Sequence, residues 1–302
     1  MSAPTVELDA QYRQLREECG LVERADRGLL VVSGAEAAEY LQGQLTNDIE
    51  AIEPGEAAYA ALLDRKGHMQ ADMRVLRPGG GPELWLLLEP VGLAAATRHL
   101  QMYKIGREVE VADASDQYVP LSLIGPRATE IARAVEAATI RTGTGVDLIV
   151  PRAERDAAQA ALVGAGAVEV TPEAAEILRI EAGEPRFGAE MGTETMPAEA
   201  GIVEQAVSFT KGCYIGQETV ARLHYKGKPN RHLRGLRFSA PARGGEALQL
   251  GEKEVGRVGS AALSPAFGPI GLAILRREAE PGATVAVGED GVTAEVVALP
   301  FG

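Results

Sequence analysis

The spacing of apolar residues changes character near residue 230, and the change divides the chain. Upstream, runs with strand character alternate with runs of helical period. GLLVVSG predicts a short buried strand ended by Gly34, and AEAAEYLQGQLTN, with Ala37, Tyr40 and Leu41 on one face, predicts a helix that stops near Gly43 and Asn47. AAYAALLDRKGHMQADMRVLRPGGGPELWLLLE reads as strand, tight Lys-Gly turn, strand, glycine-proline loop and strand, which makes an antiparallel sheet. PVGLAAATRHLQMYKI and PRATEIARAVEAA both carry helical spacing, each opened by a proline where a helix tolerates one. EAAEILRIEAG predicts a further helix, with Thr171 as its N-cap and Gly183 as its C-terminal stop.

Downstream the pattern is all β. HLRGLRFS, GRVGSAALSP, GPIGLAILRR, ATVAVG and TAEVVALP predict five or six short strands separated by Gly, Pro and Asp, enough for a small barrel or sandwich. The polar KGKPNRH segment is the natural boundary. The prediction is an α+β protein: an α+β body over residues 1–230 and a C-terminal β module over residues 231–302.

With 302 residues, 46% of them hydrophobic, the chain is long enough for two or three packed units and too apolar for disorder. No apolar run is long enough to span a bilayer, and the N-terminus lacks the basic start and apolar core of a signal peptide, so a cytoplasmic protein with no membrane partner is expected. Cys19 and Cys213 are too few and too far apart in sequence for a disulfide framework, and both are expected as thiols. A formal charge of −13 disfavours direct nucleic-acid binding. RLHYKGKPNRHLRGLR, Arg222 to Arg237, reverses that charge locally: lining a cleft it would hold an anion, and otherwise it is a solvated basic loop.

KGCYIGQETVAR is the stretch with the most chemistry. It sets Cys213 two residues after Lys211, between Gly212 and Gly216. A nearby cation, and backbone amides if a helix begins after Gly216, favour the thiolate, the reactive form of the sulfur; the alternative is an inert cysteine in a tight turn. Asp72 lies on an apolar strand, where a carboxylate is costly unless paired or used. Glu181 sits in the last turn of an apolar helix, the wrong end of the dipole for a carboxylate; an outside group wants it, or Arg179 or Arg186 pairs with it. The four histidines show no metal-ligand spacing, and no metal is expected; nucleophile-elbow, dinucleotide and P-loop motifs do not occur.

These residues carry a resemblance. KGCYIGQETVAR resembles the signature of the YgfZ-type folate-binding proteins, relatives of the glycine cleavage T-protein (aminomethyltransferase) that act in iron-sulfur cluster assembly and repair. DRGLLVVSGAEAAEYLQGQLTND, AYAALLDRKGHMQADMRVL, YKIGREVEVADASDQYVPLSLIGP and LRIEAGEPRFGAEMGTETMPAEAGI resemble further family segments in the same order, over nearly the whole chain. The resemblance implies a T-protein-like ring of three domains around a channel for tetrahydrofolate or a one-carbon derivative, with the β-barrel as the third domain. It implies Glu181, Asp72 and Phe187 as folate-binding residues, Glu181 accepting two neighbouring N–H groups of the pterin edge. It implies Cys213 as the working thiol and Lys211 as its tuning cation, with Gly212, Tyr214, Gly216, Gln217, Glu218 and Arg222 as support.

The implied partners are a folate and, transiently, iron-sulfur client or assembly proteins, with tRNA modification among the processes so served. Two departures stand out. Ala71 replaces one member of the paired aspartates of T-protein, which counts against aminomethyl transfer, and His68 stands where arginine or lysine is usual, making the hairpin charge pH-dependent. The expected role is an accessory factor rather than an aminomethyltransferase; the alternatives are that transferase and a non-catalytic scaffold without folate.

Overall fold

The computed structural model describes residues 4–79 and 81–302. It has the T-protein-like α+β fold: three sheets, two in the body and one in the C-terminal barrel. The first body sheet has the strand order Ala57–Leu63, Met69–Leu76, Leu84–Leu88, Gly28–Ser33, Glu110–Asp113, all antiparallel. The second runs Val168–Glu169, Gly20–Glu23, Tyr118–Ile124, Gly145–Pro151, Ala138–Arg141, with only the first pair parallel.

Strand alternation explains how the two sheets stack. Leu30, Val32, Leu84, Leu86 and Leu88 point toward the helices Ala37–Gln44 and Pro90–Tyr103, while their neighbours Leu29, Trp85 and Leu87 point the other way and meet Ile140 and Ile149 of the second sheet. On the far side, Val146, Leu148 and Val150 pack under Ile131, Ala158 and Leu162. The body is therefore layered helix, sheet, sheet, helix. Asp72 and Arg74 share the inter-sheet face, because they alternate with Ala71, Met73 and Val75 of the helix-side core. Where the sheets diverge at one end, that face opens as a cavity.

The C-terminal sheet has seven antiparallel strands in the order Lys253–Arg257, Ala247–Leu250, Thr284–Val287, Val292–Val297, Arg231–Phe238, Gly268–Arg276, Ser260–Ser264. It encloses its own core of Leu236, Leu248, Val285 and Val296. The strand count exceeds the five or six predicted because the Ala247–Leu250 and Lys253–Arg257 hairpin is polar on alternate positions and hides in its loop-like composition.

Two expectations are corrected. PRATEIARAVEAA forms one α-turn, Ala128–Ile131, and a short 3₁₀ turn, Ala132–Ala134, before the chain leaves for the Ala138–Arg141 strand. Sheet pairing wins over local propensity there. Thr171 precedes the helix Pro172–Ala182 in extended conformation, yet its side chain makes no cap bond; Gly183 does close the helix, at φ +72°.

That helix ties body to barrel through Arg179. Its guanidinium donates to Glu176 at 2.7 Å, to Glu190 at 3.0 Å, to Ser260 of the barrel at 2.5 Å and to the Glu184 carbonyl. Glu190 is buried, and Gly259 lies so close that a Cβ there would meet the Glu190 side chain at 2.8 Å. Removing one member of such a buried network strands the rest. Arg179→Met is expected to cost about 3 kcal/mol of stability, read as a lower urea midpoint.

Candidate functional site

The divergence of the two sheets leaves a cavity of about 580 Å³, closed by the Arg179–Arg186 segment and the barrel residues Leu233, Leu299 and Pro300. Its walls are polar. The first sheet supplies Tyr59, Asp72 and Arg74, the second sheet and the turn after Glu23 supply Arg141 and Arg24, and the loop after Gly183 supplies Glu184.

Asp72 is the centre of this arrangement. It accepts a 2.6 Å hydrogen bond from the Tyr59 hydroxyl. Burial raises its pKa above the ordinary carboxylate value, the Tyr59 bond lowers it, and Glu89 raises it further. Burial and Asp72 together push Tyr59 well above its usual value, so it stays a hydroxyl donor. Arg74 lies over the Tyr59 ring, 5.2 Å from its centroid.

The cations around it divide into paired and unpaired. Arg27 meets Glu89 at 2.6 Å, and Arg179 and Arg186 are committed to Glu176. Arg24, Arg74 and Arg141 have no carboxylate within salt-bridge distance among the described residues, and the Nε of Arg24 is buried with no hydrogen-bond partner. Burial, and then the neighbouring Arg27, lower the Arg24 pKa. A buried donor left in this state marks a place for an acceptor from outside the chain.

From LRIEAGEP the sequence reading took Glu181, and the structure places that residue apart from this cavity. Glu181 does not line the cavity; it is buried on the opposite side of the helix end, accepting hydrogen bonds from Tyr12 at 3.1 Å and Ser264 at 2.6 Å, with Arg16 at 3.5 Å. Neither Arg179 nor Arg186 pairs with it. Glu184, three residues on and past the left-handed Gly183, is the carboxylate that faces the cavity, lying over Gly143 where a Cβ would meet its oxygen at 2.0 Å. Phe187 is also outside the cavity: it belongs to the core with Met69, Met191 and Tyr214.

Ala71 points away from the cavity into the helix-side core, 3.0 Å from where a Cβ on Gly92 would stand. A carboxylate in its place would not join Asp72, since adjacent strand positions face opposite ways. His68 stays on the hairpin turn, with Nδ1 at 3.5 Å from Asp64.

The cysteine motif forms a second region. Gly216 is left-handed, at φ +87°, and opens the helix Gln217–Lys226. A side chain at Gly216 would meet the Asp64 carbonyl at 2.7 Å, and one at Gly67 would meet Thr219 at 3.0 Å. The motif is thus seated against the Lys-Gly hairpin turn. Gly212 has open space around it, so no close approach requires glycine there.

Lys211 is turned away from the thiol's chemistry. Its ammonium donates to the carbonyls of Gln42, Leu45 and Asn47 at 2.6, 2.7 and 2.7 Å, which uses all three of its protons. It caps the C-terminal end of the Ala37–Gln44 helix, where a cation is favoured. Burial lowers its pKa to about 8. Tyr214 is buried under it, 5.2 Å from ammonium to ring centroid, with its pKa pushed up to about 12 by burial.

Cys213 is exposed, whereas Cys19 is buried, with its pKa raised to about 11 by burial. Cys213 does not line the cavity that holds Asp72. Gln217 and Glu218 start the helix, half-buried and exposed, and Arg222 is exposed one turn further on. Thiol and cavity are separate features. Tyr59, Arg24, Arg74 and Glu184 were missed from sequence; Arg74 was signalled by its i+2 spacing from Asp72 on an otherwise apolar strand.

This geometry is that of a known class of protein. The family model of the GCVT N-terminal domain matches residues 5–144, and that of the glycine cleavage T-protein C-terminal barrel domain matches residues 231–301. An aminomethyltransferase of Saccharopolyspora erythraea is 30% identical over 329 residues, covering 97% of this chain and 89% of that protein. One of Rubrobacter xylanophilus is 28% identical over 322 residues, covering 97% and 86%. An uncharacterized protein of Haemophilus influenzae is 31% identical over 211 residues, covering 68% of this chain and 69% of that one. The crystal structure of glycine cleavage system aminomethyltransferase T from Bartonella henselae has the same fold, with a TM-score of 0.85 at 23% identity over 98% of this chain and 89% of that one. The chain belongs to the glycine cleavage T-protein family.

Two outcomes follow from the local chemistry. Because the folded state binds the Asp72 proton more tightly than the unfolded chain, the stability from this group is full below the ordinary carboxylate pKa and is lost as pH rises through the raised value. Asp72→Asn is therefore expected to gain stability relative to wild type as pH rises above the ordinary carboxylate value of about 4, measured as urea midpoints against pH. Lys211→Met is expected to cost about 2–3 kcal/mol by leaving carbonyls of the helix end unmatched, with Cys213 still labelled by a thiol reagent in the native protein and Cys19 only after unfolding.

Proposed function

We propose that the cavity binds tetrahydrofolate or a one-carbon derivative of it, and that the protein serves the assembly or repair of iron-sulfur proteins through Cys213. The observation that carries the folate reading is the pairing, in one cavity, of acceptor carboxylates with guanidiniums that have no carboxylate within salt-bridge distance among the described residues. A pterin ring offers adjacent N–H donors along one edge and suits Asp72 or Glu184; the glutamyl end of a folate is anionic and suits Arg24, Arg74 and Arg141. Tyr59 stands beside Asp72 as a donor and an aromatic wall. Asp72, its pKa raised, is a proton-holding group next to the ring nitrogens.

The resemblance of KGCYIGQETVAR supports the iron-sulfur part, and the exposure of Cys213 is what a thiol that acts on other proteins needs. Activation of that thiol by Lys211 is not part of the reading, since the ammonium is spent on the Ala37–Gln44 helix.

A second reading, aminomethyl transfer to the folate, is favoured by the orientation of Ala71. The residue that counted against it from sequence lies outside the cavity, and Asp72 is retained inside. Formation of methylenetetrahydrofolate with a lipoylated carrier as donor decides between the two: stoichiometric turnover selects the transferase.

Calorimetric titration with tetrahydrofolate is expected to give saturable binding, about tenfold weaker in each of Asp72→Asn and Glu184→Gln. Absence of heat and of a thermal shift in the wild-type protein leaves the scaffold alternative. For the thiol, Cys213→Ala is expected to fail to restore iron-sulfur enzyme activity in cells lacking the protein; full restoration removes its role.

A further inference from the structure

The basic segment that follows the cysteine motif is used by neither the cavity nor the thiol, and it lines a cleft of its own. The cleft, about 460 Å³, runs between the Gln217–Lys226 helix and the chain that leads into the barrel. Thr219, Arg222, Leu223 and Lys226 recur at helical spacing on the side of the helix that faces it. The opposite wall is Met196, with Lys228 and Pro229 of the linker.

Two properties of this cleft point to an occupant. Arg222 and Lys226 on the helix and Lys228 on the linker have no carboxylate within salt-bridge distance and no side-chain hydrogen bond among the described residues. The carboxylate that does line the cleft, Glu199, is turned to Arg231, which donates to it at 3.0 and 2.9 Å. Between the cations the surface is apolar, from Met196, Leu223 and Pro229. In a chain of formal charge −13, three uncompensated cations around an apolar floor are a local exception.

We propose that this cleft docks an acidic segment of a partner protein, one that carries an apolar side chain between its carboxylates. The apolar residue seats on Leu223, Met196 and Pro229; the carboxylates meet Arg222, Lys226 and Lys228. Charge complementarity selects this partner, because an acidic chain is repelled by most of the surface and attracted here, which fixes where it lands. The Gln217–Lys226 helix has ten residues, about 15 Å, and the turn that carries Cys213 leads into its N-terminal end, so the cleft and the thiol share one short element. The assignment deepens the reading of Cys213 as a thiol that serves partner proteins and does not rest on the folate cavity.

The test uses the full chain and a fluorescein-labelled peptide that is acidic throughout apart from one central Leu-Phe pair. Fluorescence anisotropy is expected to show saturable binding that weakens with added salt, and at least about a tenfold loss of affinity in Lys226→Glu/Lys228→Glu. Where charge reversal disturbs folding, Lys226→Gln/Lys228→Gln supplies the same comparison with a smaller loss. Equal binding by wild type and variants overturns the proposal, as does equal binding of a basic peptide of the same pattern. Competition by single-stranded oligothymidylate at lower concentration than the peptide also overturns it, and makes the cleft a nucleic-acid surface. Tetrahydrofolate titration of the same samples separates the two readings: a wild-type protein that binds the folate and not the peptide overturns this proposal alone.

Discussion

The arrangement of the molecule depends on Arg179. One guanidinium reaches the helix it belongs to, the loop that follows, and the barrel, through Glu176, Glu190, the Glu184 carbonyl and Ser260. Glu190 is buried, so its charge is tolerable only while Arg179 faces it. Burial alone lowers the pKa of Arg179, and its carboxylate partners reverse that and hold it above the ordinary value. The Glu184 carbonyl is fixed by this contact, and the Glu184 side chain is carried with it onto the cavity wall. A structural ion network therefore positions a carboxylate of the candidate site without touching a ligand.

A comparable division holds at the cysteine motif. Its lysine and its second glycine are explained by seating: Lys211 closes the Ala37–Gln44 helix and Gly216 fits against the Asp64 carbonyl. Tyr214 fills the core beneath them. What these contacts leave outside is Cys213, held at the surface on a turn whose neighbours on both sides are anchored. Such a turn presents a thiol in a fixed place without enclosing it. That suits chemistry with a macromolecule better than chemistry on a small ligand, which needs a site closed to water.

How much of this was legible in the sequence depended on whether a residue's role was set by local period or by distant contacts. The strands around Asp72 follow from spacing and punctuation and appear where the pattern put them, whereas the helix after Gly216 entered the sequence reading only as a condition for activating the thiol. Glu181 lies away from the cavity for a tertiary reason that no local pattern shows. Its partners Tyr12 and Ser264 lie 169 and 83 residues away, and the left-handed turn at Gly183 rotates the next carboxylate, Glu184, into the cavity instead. The interpretation of Ala71 failed because adjacent positions on a strand were treated as a pair, although the pleat sends them to opposite faces. Arg24 carries no local signal at all: only the cavity shows its buried Nε without a hydrogen-bond partner among the described residues.

Electrostatics gives these observations a common sense. The chain carries a formal charge of −13, so its average field repels anions, yet the cavity and the cleft beside the Gln217–Lys226 helix both hold cations with no carboxylate within salt-bridge distance among the described residues. At physiological salt the screening length is about 8 Å, so carboxylates elsewhere on the surface contribute little inside either recess, and the nearby guanidinium and ammonium groups set the local potential. The cavity adds desolvation: burial weakens the hydration that would otherwise compete for Arg24 and Asp72, so a ligand must bring both an anion and a donor edge to satisfy them together. The cleft is open and keeps its cations hydrated, which makes it responsive to charge pattern rather than to the shape of a single ring. On the two proposals, the same residue chemistry separates into a recess suited to a small amphoteric molecule and a surface suited to an acidic chain, and burial is what separates them.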